Sequence, residues 1–215
     1  MLRIVGEEKN DVYEYRRRPV SLIGHLVDES HLSAAKEAIK DTLKVARVDK
    51  EIPINVRRVD DPYWMDEYKM PGRNQIDAYK FMLDISSDDE YKFVLTKNDI
   101  NSSMGNYNFL VGLAIPGYNA IASTKRFEGV NDPQMRWECV KTEVMHEIGH
   151  VFGAPSYSRK DIEENLGRHC KNKCVMRQGI RVPMDWIAMT KDRLETGKAF
   201  CDSCENDLRE FFGTN

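Results

Sequence analysis

The sequence has no apolar run long enough to cross a membrane. Its longest uncharged stretch, residues 100–124, is rich in polar side chains and is broken by Gly105, Gly112, Pro116 and Gly117, whereas a spanning helix needs about 20 consecutive apolar residues. No export leader is expected either. The opening residues, MLRIVGEEKNDVYEYRRRP, are charged throughout and hold no apolar core, so the expected location is the cytoplasm. Positive charge is not in excess. With a formal net charge of −3 there is no broad basic field of the kind that nucleic-acid binding needs, and Arg16-Arg17-Arg18 and Arg57-Arg58 read as solvated surface. No repeat, low-complexity tract or Pro/Gly/Ser-rich linker divides the 215 residues. One monomeric domain over 1–215 is therefore expected, with an N-terminal part (1–153) and a C-terminal part (154–215).

Histidine and cysteine are scarce, at five each, and their placement carries the chemistry. In Val144-Met145-His146-Glu147-Ile148-Gly149-His150 the two histidines are four apart, so on a helix they project from one face about 6 Å apart along the axis and can grip one Zn²⁺. Glu147 sits beside such a metal without ligating it, placed to take a proton from a water and pass it to a leaving amine. The cysteines at 170, 174, 201 and 204 form two close pairs, C-x₃-C and C-x₂-C. Absent an export signal, paired thiols read as ligands of a tetrahedral structural zinc; the alternative is reduced thiols or a disulfide. Cys139 reads as a buried apolar thiol. Glu143, one turn before His146, either orients a ligand or solvates the helix.

The chain otherwise reads as mixed α/β. Strands are predicted over 20–27, 54–59, 91–96, 109–114 and 118–123, and helices over 32–48 and 74–85. Asn131-Asp132-Pro133 is a start signal for a long helix to Phe152, with Trp137, Val140, Val144, Ile148 and Val151 as its buried stripe and the Glu143, His146, Glu147 and His150 set on another face. Residues 154–168 read as a polar loop with a short helical turn at 161–166. Pro183 opens a helix through Leu194, and a last helix follows Cys204.

His146, Glu147, His150 and Gly153, then the His169-Cys170 dipeptide, Cys174, Met176 and the distant Cys201 and Cys204, resemble the archaemetzincin family of zinc metallopeptidases. Arg73-Asn74-Gln75-Ile76-Asp77-Ala78 is similar to a family helix start, and Gly112-Leu113-Ala114 with Ser123 and Arg126 to its edge-strand region. The resemblance covers roughly residues 20 to 207. It implies a metzincin-like zincin fold, α+β with a twisted mixed sheet, an active-site helix, a Met-turn at Met176 beneath the metal and a C-terminal part stapled by a Cys₄ zinc. The chain departs from the pattern at the third ligand, where family spacing after Gly153 arrives at Ser156, a poor zinc ligand. The His-Cys pair recurs instead as His169-Cys170, which makes 154–168 an insertion, expected to be a lid or specificity loop tolerant of substitution.

These readings converge on a zinc metallopeptidase with two zinc ions per chain, a catalytic one on His146, His150 and His169 and a structural one on Cys170, Cys174, Cys201 and Cys204. Glu147 is its general base. The expected partner is a peptide or protein substrate lying antiparallel to an edge strand, 118–123, with neither nucleic acid nor membrane. Hydrolysis of a non-peptide amide uses the same groups. The alternative from another class is a zinc-organised protein-interaction module with weak or no catalysis.

Overall fold

Apolar side chains alternate between two sides of each central strand, and each side meets its own core. The computed structural model describes residues 15–214; the leader reading rests on residues mostly outside the described ones. In chain order the elements are β1 (Val20–His25), α1 (Glu29–Val45), β2 (Ile54–Val59), β3 (Ile76–Asp77), α2 (Ala78–Ile85), β4 (Tyr91–Thr96) and β5 (Ile100–Asn101). There follow β6 (Gly112–Ile115), β7 (Asn119–Ser123), α3 (Pro133–Val151), β8 (Ile162–Glu163), β9 (His169–Cys170), α4 (Met184–Thr196) and α5 (Asp202–Phe212). The main sheet runs β2-β1-β4-β7-β6, with β6 antiparallel to β7 and the rest parallel. Val20, Leu22, Phe93, Leu95, Ala120 and Ala122 face the larger core with α1 and α3, while Ile23, Val94 and Ile121 face a smaller one with Phe81 and Met82 of α2. A parallel sheet is stable only when covered on both faces, which accounts for its nearly continuous apolar strands.

Caps set the helix starts. Asp28 accepts from the His31 amide and opens α1 at Glu29, three residues before the predicted start. Asp132 accepts from the Gln134 amide, and Pro133 stands in the first turn of α3, as the sequence signal implied. The helix predicted over 74–85 divides: Ile76 and Asp77 pair with Ile100 and Asn101, and Asp77 then caps α2. The final helix begins at Asp202, ahead of Cys204.

Three further expectations are corrected. Strand 118–123 is not an edge: β7 lies between β4 and β6, so the exposed edge on this side is β6. The turn expected at 161–166 is instead a short antiparallel pairing of β8 with β9. Arg18 is not solvated surface. It is buried, donates to the carbonyls of Ser87, Asp88 and Gly117, and lies over the Tyr91 ring, whereas Arg57 and Arg58 are exposed.

The C-terminal part shares the larger core. Phe200, Cys204, Leu208 and Phe212 pack in the same cluster as α1 and α3, and burying a Phe or Leu side chain contributes about 1.5–3 kcal/mol. No helix among the described residues is long and apolar enough to cross a membrane.

Candidate active site

Helix α3 is covered by the sheet, α1 and α4, so its second half is buried on nearly every side. That burial takes in the polar set as well as the apolar stripe: Glu143, His146 and Glu147 are all buried, and Trp137 is the stripe residue left half-covered. Glu143 therefore does not solvate the helix.

His146 Nδ1–H donates to the Val175 carbonyl at 2.7 Å. A carbonyl only accepts, so the proton is fixed on Nδ1 and the Nε2 lone pair is left facing inward. His146 Nε2 and His150 Nε2 stand 3.2 Å apart, close to the roughly 3.3 Å that separates two nitrogens on one tetrahedral zinc. His169 arrives on β9 and stacks on His146 with ring centroids 5.2 Å apart; its Nδ1 is buried without a hydrogen-bond partner. Ligand atoms of all three rings lie within 4.8 Å of one another, and the donor set fits a divalent metal with an open position. Ser156 does not join them: its hydroxyl meets that of Ser158 at 3.0 Å. Met176 lies beneath. A Cβ at Gly149, between the two helix histidines, would come within 2.5 Å of the Met176 sulfur, so glycine there admits the turn.

Burial pushes His146 down to about 3, with neighbouring His169 adding to the effect; His150 is held well below its ordinary value and His169 is lowered, in each case chiefly by burial. The rings are thus neutral and able to ligate. Burial acts oppositely on the acids, raising Glu143 to about 7 and Glu147 well above its ordinary value, with the neighbouring Glu143 carboxyl adding to the rise at Glu147. Trp186 Nε1–H donates to the other Glu143 oxygen at 2.5 Å. A Cβ on Gly112 would collide with one oxygen of each acid, so only glycine lets β6 pass this close.

These shifts have opposite signs in linkage. Neutral buried histidines contribute stability present above their ordinary 6.5 and lost as pH falls toward about 3; raised acids contribute stability present below 4.5 and lost as pH rises through about 7. In the metal-free protein the two slopes oppose one another between pH 4.5 and 6.5. Glu147→Gln removes one acid, so its melting temperature should climb more steeply with pH across that window than that of wild type. Identical slopes in a thermal-melt series would mean that Glu147 is not held as a buried acid.

A cleft of about 320 Å³ opens over the histidines, walled by Gly112 and Ala114 of β6 on one side and by Pro155, Tyr157 and Arg168 on the other. A larger hollow of about 470 Å³, near Tyr15 and Tyr118, includes none of the three histidines.

The second cluster lies behind β9. Successive residues of a strand point to opposite sides, so His169 joins the histidines while Cys170 joins Cys174, Cys201 and Cys204. Cys170 and Cys201 sulfurs are 3.7 Å apart and those of Cys174 and Cys204 3.9 Å, against about 3.8 Å for two sulfurs on one tetrahedral zinc and about 2.05 Å in a disulfide. Cys139 is buried elsewhere, beside Thr190. Sequence reasoning missed Trp186, the Val175 carbonyl and Arg159, which contacts the thiols; only Trp186, in a predicted helix, carried any signal.

No family model matches the chain. Over 110 residues, 50% of this chain and 51% of the relative, it is 40% identical to a protein named Archaemetzincin from Nanoarchaeum equitans (strain Kin4-M); the match spans about half of that relative's length. The fold is similar to two crystal structures of archaemetzincins. That from Methanopyrus kandleri has a TM-score of 0.64 and 21% identity, with 92% of this chain and 97% of that one covered. That from Archaeoglobus fulgidus, complexed with malonate, has a TM-score of 0.63 and 20% identity, covering 88% and 99%. The chain is thus similar in sequence to an archaemetzincin over the matched half and shares the fold of two archaemetzincin structures over nearly its whole length.

Proposed function

We propose that the chain is a zinc-dependent metallopeptidase that hydrolyses peptide bonds with Glu147 as general base. The observation that carries this reading is the convergence of three neutral imidazoles, His146 and His169 buried and His150 half-buried, two of them at tetrahedral spacing, beside a carboxylate that does not belong to the donor set. His146, His150 and His169 would hold the zinc. Bound there, zinc would supply a Lewis acid that polarises the scissile carbonyl and makes a water nucleophilic near neutral pH. Glu147 takes the proton of the attacking water and returns it to the departing nitrogen. Glu143, fixed by Trp186, stands beside Glu147 against Gly112 and helps keep its carboxyl raised. Extended peptide adds to the free edge of β6, whose main chain supplies the pairing groups, and the opposite wall of the cleft selects side chains.

Cys170, Cys174, Cys201 and Cys204 hold a second, structural zinc. Such a site is at home where thiols stay reduced, which supports a cytoplasmic location, and the chain is taken as a monomer acting on peptide or protein. A pure interaction module has no use for a buried carboxylate next to the histidine cluster. The test is metal analysis with cleavage of a mixed peptide library. A closed Cys₄ site lacks the open position of the histidine site, so the two metals should differ in lability. A mild chelator should remove one equivalent and abolish cleavage with the fold intact; concerted loss of both metals would count against separate roles.

A further inference from the structure

Residues 154–168 are not a loose lid. At their centre the Arg159 side chain is only 9% exposed, and every N–H of its guanidinium is engaged. Nε donates to Asp161 Oδ1 at 2.8 Å and Nη2 to Asp161 Oδ2 at 2.5 Å. Nη1 donates to Asp207 Oδ2 at 2.9 Å. The remaining two hydrogens point at sulfur: Nη1 to Cys204 Sγ and Nη2 to Cys170 Sγ, each at 3.1 Å. A guanidinium has five donors in a fixed planar fork, and here the fork spans both cysteine pairs.

The same groups tie down the backbone around it. Asp207 accepts from the Ser156 amide at 3.1 Å, and Asp161 accepts from the Asn172 side chain at 3.0 Å. Arg168 closes the segment on itself by donating to the carbonyls of Ser156 and Tyr157. Pro155, Tyr157 and Arg168 are also the cleft wall opposite β6.

We propose that Arg159 clamps the cleft wall to the four-cysteine cluster, so that a metal on those thiolates keeps the substrate cleft in shape. The inference rests on the reading that both clusters bind zinc, and it assigns Arg159 a positioning role that the metallopeptidase reading does not require. Four thiolates around a divalent ion carry a net charge of −2, which the guanidinium partly offsets while capping two of the sulfurs. Without the metal the sulfurs reprotonate and become weak acceptors. The fork then loses two of its partners, and the wall loses its anchor.

The test compares wild type with Arg159→Met, which keeps the length and removes the donors, in the full-length zinc-loaded protein. Three readouts are taken: zinc transfer to a colorimetric chelator, tryptic cleavage at Lys160 and Arg168, and KM against kcat on a peptide substrate. Loss of an outer partner of a metal site typically costs ~10- to 100-fold in affinity. Release of the cysteine-held zinc should accelerate by a comparable factor, the segment should become cleavable, and KM should rise with kcat little changed. Should Arg159→Met fail to fold, Arg159→Lys retains the charge without the fork and should give intermediate zinc release. Independently, partial removal of the cysteine-site zinc from wild type should raise hydrogen exchange across 154–168. Unchanged zinc release and an uncleaved segment in the variant, or unchanged exchange in wild type, would overturn the clamp. Absence of any peptidase activity in wild type would instead sink the metallopeptidase reading and leave the zinc and proteolysis readouts to decide on Arg159.

Discussion

Glu147→Ala should keep its histidine-site zinc and lose ~10²- to 10⁴-fold in turnover, the range associated with removing a general acid/base. The metal should stay because Glu147 is not among the three donors whose ligand atoms converge. Turnover should fall because Glu147 is the acid that lines the cleft among the described residues, while Glu143 accepts from Trp186. Metal analysis and single-turnover cleavage on the same preparation separate the two effects. If the variant cleaves peptides at the wild-type rate, Glu147 has no part in the chemistry. Binding of an uncleaved peptide should survive, since the β6 edge is untouched.

The second large effect distinguishes His169 from Ser156. His169→Ala should weaken histidine-site zinc by more than the ~10- to 100-fold that typifies loss of an outer partner, because it removes one of three donors. Ser156→Ala should leave zinc content and rate nearly unchanged: the hydroxyl meets only Ser158, and the contact that anchors this residue is its backbone amide on Asp207. Zinc titration of the two variants side by side decides the assignment. Equal affinity in His169→Ala and wild type would mean that the site works with two histidines and some donor not identified among the described residues.

The helix carrying His146 and His150 was legible because both signals are local. Asn131-Asp132-Pro133 marks its start, and a four-residue spacing fixes two side chains on one face whatever packs around them. Local spacing alone arrives at Ser156, which stands apart from the histidine cluster; only the family-like His-Cys pair pointed to His169, the third histidine of that cluster. The edge strand was misread for a similar reason. β7 and β6 are both short and apolar, and which of them lies outermost depends on pairing with β4, 27 positions earlier in the register of Lys92 with Asn119. The polar, charged run 154–168 looked like solvated loop, since Arg159 takes partners at 161, 170, 204 and 207 and no pattern within the run reveals them.

Taken alone, the sequence determined the ligand types, the pairing of the cysteines into two short motifs and the helix that presents the first two histidines, because each is written within a few residues of chain. Tertiary structure decided the rest. It buried Glu143 against Trp186, put the Val175 carbonyl on His146 so that the ring offers Nε2, required glycine at 112 and 149 where backbone, acids and Met176 crowd together, and turned an arginine of a polar run into a link between the two cysteine pairs. Those outcomes depend on segments distant in sequence meeting in a water-poor interior, where an unpaired polar group is costly and only long-range packing can supply its partner.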